Sequence, residues 1–122
     1  MAAVSKRILI IEGEPALSHA LESKLKREDC AVHIAEDGRQ GLALLESGAK
    51  FDVVLLDIMM PVADGFQALQ QVLKRPDHPQ VIVLSSMNQQ EGEQRVLSLG
   101  AKRYLVKADT SLSTLVDEVK KA

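Results

Sequence analysis

Five short apolar runs recur along the chain, and segments of mixed polarity separate them. Three of the runs are nearly continuous in Val, Ile and Leu, which is typical of parallel strands buried on both faces. The second and fifth runs are weaker and therefore suit the edges of a sheet. The five predicted strands are Arg7–Ile11, Ala31–Ala35, Val53–Leu56, Val81–Leu84 and Arg103–Val106.

Each segment between the runs, and the one after the last, carries apolar residues at helical spacing. Residues that favour helix ends lie at the limits of these predicted helices. Asp37 begins the second helix, and Asp64 and Pro76 lie at the two ends of the third. Gly100 ends the fourth helix and Ser111 precedes the fifth. Five β–α units with short, right-handed connections predict an α/β fold, the flavodoxin-like doubly wound (βα)5 sheet in order 2-1-3-4-5. The first and fifth helices should cover one face, and the second to fourth the other.

Composition narrows the class of protein. The 122 residues suit one domain spanning 1–122, and 46% hydrophobic with 26% charged residues indicates a globular chain. A net charge of −2 and 2% aromatics predict neither a basic nucleic-acid footprint nor a base-stacking surface. The single Cys30 cannot form an internal disulfide. We expect a cytoplasmic protein, because no apolar stretch approaches membrane-spanning length and no signal-peptide core is present.

Polar side chains end four of the predicted strands. Glu12 follows the first, Asp57 the third, Ser85 the fourth and Lys107 the fifth. Each alone has an ordinary explanation, such as a solvated acid, a capping hydroxyl or a surface cation. Together, at the carboxyl ends of parallel strands, they predict one shallow, accessible cleft at the switch point of the sheet. Its oxygens suit Mg²⁺, and its lysine and hydroxyl suit a phosphoryl group on Asp57.

These residues carry a resemblance to the receiver domain of two-component response regulators, covering Arg7 to Lys121. The Asp-x-x-Met-Pro-x-x-Asp-Gly stretch from Asp57 to Gly65 is its most specific element. The remaining matching segments are Ile8–Glu12, Val83–Ser86, Gly100–Ala101 and Tyr104–Lys107.

The resemblance implies roles for individual residues. Asp57 would accept phosphate from a histidine kinase or phosphotransfer protein, and Ser85 and Lys107 would contact the phosphoryl oxygens. Glu12, Asp57 and the backbone carbonyl of Met59 would hold Mg²⁺. Tyr104, with Ser85, would act as a switch towards a face formed by the fourth helix, the fifth strand and the fifth helix, where an output protein binds.

Three positions depart from the family pattern. The mildest departure is Ser85, which replaces the commoner threonine and keeps its hydroxyl group. Gly13 stands where the family has a second acid that binds Mg²⁺ directly, so we expect weakened metal binding. Ala108 stands where the family has proline after its lysine. A cis bond without proline costs about 3 kcal/mol, so we expect a trans bond and a differently shaped loop.

The leading interpretation is a stand-alone signalling domain rather than an enzyme, switched by phosphorylation of Asp57, with no direct nucleic-acid or membrane partner. The alternative is a pseudo-receiver that binds partners without phosphate, because Gly13 removes a metal ligand. A flavin or nucleotide binder is disfavoured, because the acids Glu12 and Glu14 would repel phosphate after the first strand. A metal-dependent phosphatase would need a second acid where Met59 stands.

Overall fold

The computed structural model describes residues 6–58 and 65–122 of the chain. Its centre is a five-stranded sheet in the order β2-β1-β3-β4-β5, and every neighbouring pair is parallel. The predicted fold class and strand order are therefore confirmed. The strands are β1 (Arg7–Ile11), β2 (Ala31–Ala35), β3 (Val53–Asp57), β4 (Gln80–Ser85) and β5 (Arg103–Val106).

Helices cover both faces of the sheet as predicted. One buried aliphatic cluster joins α1 and α5 to the sheet through residues such as Leu21 and Val119. The other joins α2, α3 and α4 through residues such as Leu45, Leu69 and Val96. The helices are α1 (Pro15–Arg27), α2 (Gly38–Glu46), α3 (Gly65–Leu73), α4 (Gln89–Leu99) and α5 (Leu112–Lys121), and a short 3-10 helix, η1, covers Lys107–Asp109.

Several helix ends follow the predicted signals. The Asp37 carboxylate accepts a hydrogen bond from the backbone N–H of Gln40 at 2.9 Å, and the Ser111 hydroxyl accepts one from Thr114 at 3.1 Å. These bonds satisfy N–H groups that the first turn of a helix leaves unpaired. Gly100 follows α4 with φ of 114°, in the left-handed region where glycine is favoured. The predicted cap Asp64 lies outside the described residues.

The strand register places the polar strand ends side by side. Ile11 of β1 pairs with Leu56 of β3, so the next residues of both strands, Glu12 and Asp57, emerge together at the carboxyl edge of the sheet. Lys107 follows β5 directly and begins η1. No peptide bond within 6–58 and 65–122 is cis, which agrees with the trans bond expected before Ala108.

Within the same described ranges, none of the helices combines the length and apolar character needed to cross a membrane.

Candidate functional site

The ammonium group of Lys107 joins three carboxylates at the carboxyl edge of the sheet. Its Nζ lies 3.0 Å from Oδ2 of Asp57, 3.0 Å from Oε1 of Glu12 and 3.2 Å from Oε1 of Glu14. The four side chains come from the ends of β1, β3 and β5 and from the start of α1. Glu12, Asp57 and Lys107 thus converge as their strand-end positions predict.

Burial distinguishes the partners of Lys107. The side chains of Glu12 and Asp57 are 3% and 5% exposed, that of Lys107 is 19% exposed, and that of Glu14 is 68% exposed. The shallow, accessible cleft expected from the sequence is therefore not what the structure shows, because the two strand-end acids lie beneath the lysine. An ion pair with this burial is strongly coupled, since desolvated charges interact in a low-dielectric surrounding.

Burial and the contacts within the cluster shift the pKa values of Glu12 and Lys107. Burial raises the pKa of Glu12 above its usual value, and the Asp57 charge adds to the rise. A hydrogen bond from the Glu14 backbone and the contact with Lys107 act in the opposite direction. Burial alone would lower the pKa of Lys107, but its hydrogen bonds and charge contacts with Asp57 and Glu12 raise it above its usual value. Lys107 is therefore a cation throughout the neutral range.

Glu14 is a member of this cluster whose reach into the site the sequence left open. It is the N-cap residue of α1, and Pro15 takes the first helical position, but its side chain makes no capping bond. Its backbone N–H instead donates to Oε2 of Glu12 at 3.0 Å, and its carboxylate reaches Lys107. The signal available in the sequence was the spacing of two residues between the acids, which the turn before α1 brings to one side.

Ser85 at the sheet edge and Tyr104 both contact the backbone of one residue, Met87. Its buried hydroxyl accepts a hydrogen bond from the backbone N–H of Met87 at 2.9 Å. The Tyr104 hydroxyl donates to the carbonyl oxygen of the same Met87 at 2.7 Å. The ring of Tyr104 is directed inward and only 5% exposed. The serine and tyrosine are therefore linked by two hydrogen bonds and the backbone of the residue between them.

The oxygen donors of the cluster fit a hard divalent cation in chemical character. Three carboxylates share one ammonium, so two negative charges remain in excess when all four groups are ionised. Oε1 of Glu12 is buried and, although it pairs with Lys107, accepts no hydrogen bond from the described part of the chain. Oxygen ligands of this kind are those that Mg²⁺ prefers.

The described side chains nevertheless do not form a complete metal centre. Across 6–58 and 65–122, no group of three acidic, histidine or cysteine side chains has a geometry that could hold a metal ion. Gly13 contributes no carboxylate, and Met59, whose backbone carbonyl was predicted as a ligand, lies outside the described residues. A metal ion would therefore need further ligands besides Glu12 and Asp57, such as a backbone carbonyl oxygen, water or the carboxylate of Glu14.

Comparison with known proteins identifies the family. A family model described as the response regulator receiver domain matches residues 8–120. The chain belongs to this family. The curated relatives include the transcriptional regulatory protein DltR of Streptococcus agalactiae, which is 33% identical over 101 residues, or 83% of the chain and 45% of DltR. The chain spans less than half the length of the curated relatives it matches.

Solved structures agree with this assignment. A CheY-like receiver domain protein from Methanospirillum hungatei is similar with a TM-score of 0.85 and 28% identity, over 95% of this chain and 91% of that one. The response regulator protein TrrA from Thermotoga maritima, solved in complex with Mg²⁺ and BeF, has a TM-score of 0.80 and 28% identity, over 95% and 97%. The receiver chain is thus a part of two-component signalling.

Proposed function

We propose that Asp57 is the phosphoacceptor of this receiver domain. The observation that carries the proposal is the contact of 3.0 Å between Asp57 Oδ2 and the Lys107 ammonium at the carboxyl edge of the sheet. Lys107 compensates the charge of a buried carboxylate before transfer. The same cation stands where it can neutralise part of the charge that a phosphoryl group would add.

The transfer uses one carboxylate oxygen as the nucleophile. An Asp57 oxygen attacks the phosphorus of a phosphohistidine on a kinase or phosphotransfer protein. The O–P bond forms while the N–P bond breaks, and the bonding electrons leave with the imidazole, which takes up a proton. The product is an acyl phosphate on Asp57. Lys107 then pairs with phosphoryl oxygens, and the Ser85 hydroxyl can donate its proton to one of them while still accepting the Met87 N–H.

Magnesium binding belongs to the same proposal. Glu12 and Asp57 would hold the ion, with the Met59 carbonyl as the family pattern implies. When bound, the ion would offset negative charge on the transferring group. We infer that binding is weak, because Gly13 withholds a direct ligand. Glu14 is the nearest replacement, since its carboxylate already reaches Lys107.

Output would follow from the surface formed by α4, β5 and α5, which we call the output face. Tyr104 of β5 is in hydrogen-bond contact with the Met87 carbonyl just before α4. A charge change at Asp57 that alters the Ser85–Met87 contact would therefore reach this face through the backbone of Met87. A downstream protein that reads the output face would be bound or released accordingly.

The decisive test is labelling with acetyl phosphate in the presence of Mg²⁺, followed by intact mass measurement. We expect the mass gain of one phosphoryl group, its loss in Asp57→Asn, and its retention in Asp109→Asn. Asp109 is a suitable control because it is an exposed carboxylate that follows Lys107 closely. Labelling that persists in Asp57→Asn would refute the assignment.

A second candidate function is a pseudo-receiver that binds its partner without phosphate. The specific observation in its favour is Gly13, which removes an acid beside a cluster that Lys107 already occupies. Wild type and Gly13→Asp labelled side by side would separate the two functions. Labelling of Gly13→Asp alone supports the pseudo-receiver, and labelling of both supports the phosphoacceptor.

A further inference from the structure

The position of the Tyr104 ring depends on a glycine of α4. Gly92 is the fourth residue of that helix and is buried against the ring. A Cβ atom built at Gly92 would lie 2.5 Å from the Tyr104 hydroxyl oxygen and 2.8 Å from Cζ. Both separations are shorter than any ordinary contact between non-bonded atoms. A side chain at position 92 would therefore require the Tyr104 ring to shift from its inward position.

We propose that Gly92 is a positioning residue that keeps the Tyr104 ring inward whether or not Asp57 is phosphorylated. The contacts that hold the ring are backbone carbonyl groups of the segment between β4 and α4. The Tyr104 hydroxyl donates to the carbonyl oxygen of Met87 at 2.7 Å, and Asn88 offers a second carbonyl oxygen at 3.4 Å. Because these acceptors and the space at Gly92 belong to the fold itself, the ring needs no phosphoryl group to enter.

The consequence concerns the shape of the output face. With the ring inward, a surface groove of about 250 Å³ runs along α4 and β5, with Leu97, Tyr104 and Val106 among its lining residues. Leu97 is 40% exposed there, the one large hydrophobic side chain of the described residues that is so exposed. A ring forced outward from β5 would enter this groove. Gly92 thus determines whether the output face presents a groove or an aromatic side chain.

This inference rests on the proposed function only in taking α4, β5 and α5 as the output face. If it is correct, phosphorylation changes output through charge and through the Ser85–Met87 contact, and not through rotation of the tyrosine.

The chain offers a direct spectroscopic probe of the ring. Tyr104 is the single tyrosine, and there is no tryptophan, so tyrosine fluorescence reports on this ring alone. Acrylamide quenching should be weak in the wild-type protein and several-fold stronger in Gly92→Ala. Gln94→Ala, an exposed position of α4, is the matched control and should quench like wild type.

A stability measurement tests the same proposal if Gly92→Ala folds poorly. Replacing glycine by alanine inside a helix ordinarily stabilises it. With Tyr104 present we expect the opposite, a lower midpoint of thermal unfolding, because the ring is displaced. In a Tyr104→Ala background the clash is gone, so Gly92→Ala should raise the midpoint. A midpoint change of the same sign in both backgrounds would overturn the proposal.

Labelling separates this inference from the proposed function. Quenching is measured before and after acetyl phosphate treatment, with the labelled fraction read from the intact mass. Equally weak quenching in both samples supports the inference. Strong quenching that weakens only on labelling would refute it while supporting Asp57 as phosphoacceptor. Weak quenching without any labelling would leave the ring assignment intact and count against phosphorylation of Asp57.

Discussion

Replacement of Lys107 by methionine is the most informative perturbation of this chain, because it removes the one cation from a set of three acids. Methionine keeps the length and apolar stem of lysine, so packing changes little. Glu12 and Asp57, 3% and 5% exposed, then remain buried with no ammonium between them. Glu14 is 68% exposed, and water screens its charge, so its ion pair contributes little to the loss.

The expected magnitude follows from the geometry. At a contact of 3.0 Å and an effective dielectric constant of about 20, one ion pair has a Coulomb energy of roughly 5 kcal/mol. The cost of burying the ammonium offsets much of this energy in the wild-type protein. Removal of one partner from a buried pair typically destabilises by about 3–5 kcal/mol. For a chain of this size that corresponds to a fall of roughly 10–20 °C in the unfolding midpoint.

The loss should depend on pH with a definite sign. The contact with Lys107 holds down a pKa of Glu12 that burial has raised, so the Lys107→Met variant raises that pKa further above its usual value of 4.5. A carboxyl group whose folded-state pKa is raised destabilises the fold while it is ionised. The difference from wild type should therefore be largest at neutral pH and shrink as pH falls through the raised pKa.

Urea unfolding followed by circular dichroism, at several pH values without metal, measures this difference. Lys102→Met is the matched control, because Lys102 is exposed and lies just before β5. An equal loss in both variants, or a loss in Lys107→Met that does not change with pH, would refute the reading of Lys107 as the counterion of a buried acid pair.

Three further predictions concern the same edge of the sheet and one helix cap. Gly13→Asp should raise Mg²⁺ affinity by about 10–100-fold in titration calorimetry, because it adds an oxygen ligand. Among the described residues, its Cβ would meet only the Glu36 carbonyl oxygen, at 3.5 Å, and that distance is an ordinary contact. Glu12→Gln should raise the unfolding midpoint at neutral pH without metal, since burial disfavours the charged form, and the gain should vanish as pH falls through the raised pKa. Ser111→Ala should cost about 1 kcal/mol in urea unfolding, because it removes the N-cap of α5.

Each of these has a control within the chain. Gly13→Ala adds the Cβ without the carboxylate and should leave Mg²⁺ affinity unchanged, so an equal gain would deny that the carboxylate acts as a ligand. Glu36→Gln changes an exposed acid, and a midpoint shift equal to that of Glu12→Gln would remove burial as the cause. Ser113→Ala alters an exposed serine inside α5, and a matching loss there would show that the capping bond contributes nothing.

The strands could be predicted from the sequence because buried strands require apolar residues at neighbouring positions. β1, β2 and β5 have the predicted bounds, and β3 and β4 extend their runs by one or two residues. Strands covered on both faces need apolar side chains at consecutive positions, and parallel strands need a helix between them. Both requirements act over neighbouring residues, so Asp57 could be placed at a strand end without knowledge of its partners.

Tertiary packing decided what lies around those strand ends. The contact of Glu14 with Lys107 joins residues 93 positions apart, and it exists because the lysine side chain reaches the start of α1. The burial of Glu12 and Asp57 beneath the lysine likewise depends on which elements meet at the sheet edge. No local pattern encodes these distances, since each element is compatible with many placements of the others.

Tyr104 could be identified from the sequence, whereas the role of Gly92 depends on tertiary packing. The resemblance to a family marked the tyrosine, and the strand pattern placed it in β5. In the sequence, Gly92 is an unremarkable interruption of a polar helix that lowers helix propensity. Its meaning appears only when α4 packs on β5 and the ring fills the space where a Cβ would stand. The sequence by itself determined the elements and the residue types at their ends, whereas the packing of one element on another determined which atoms touch.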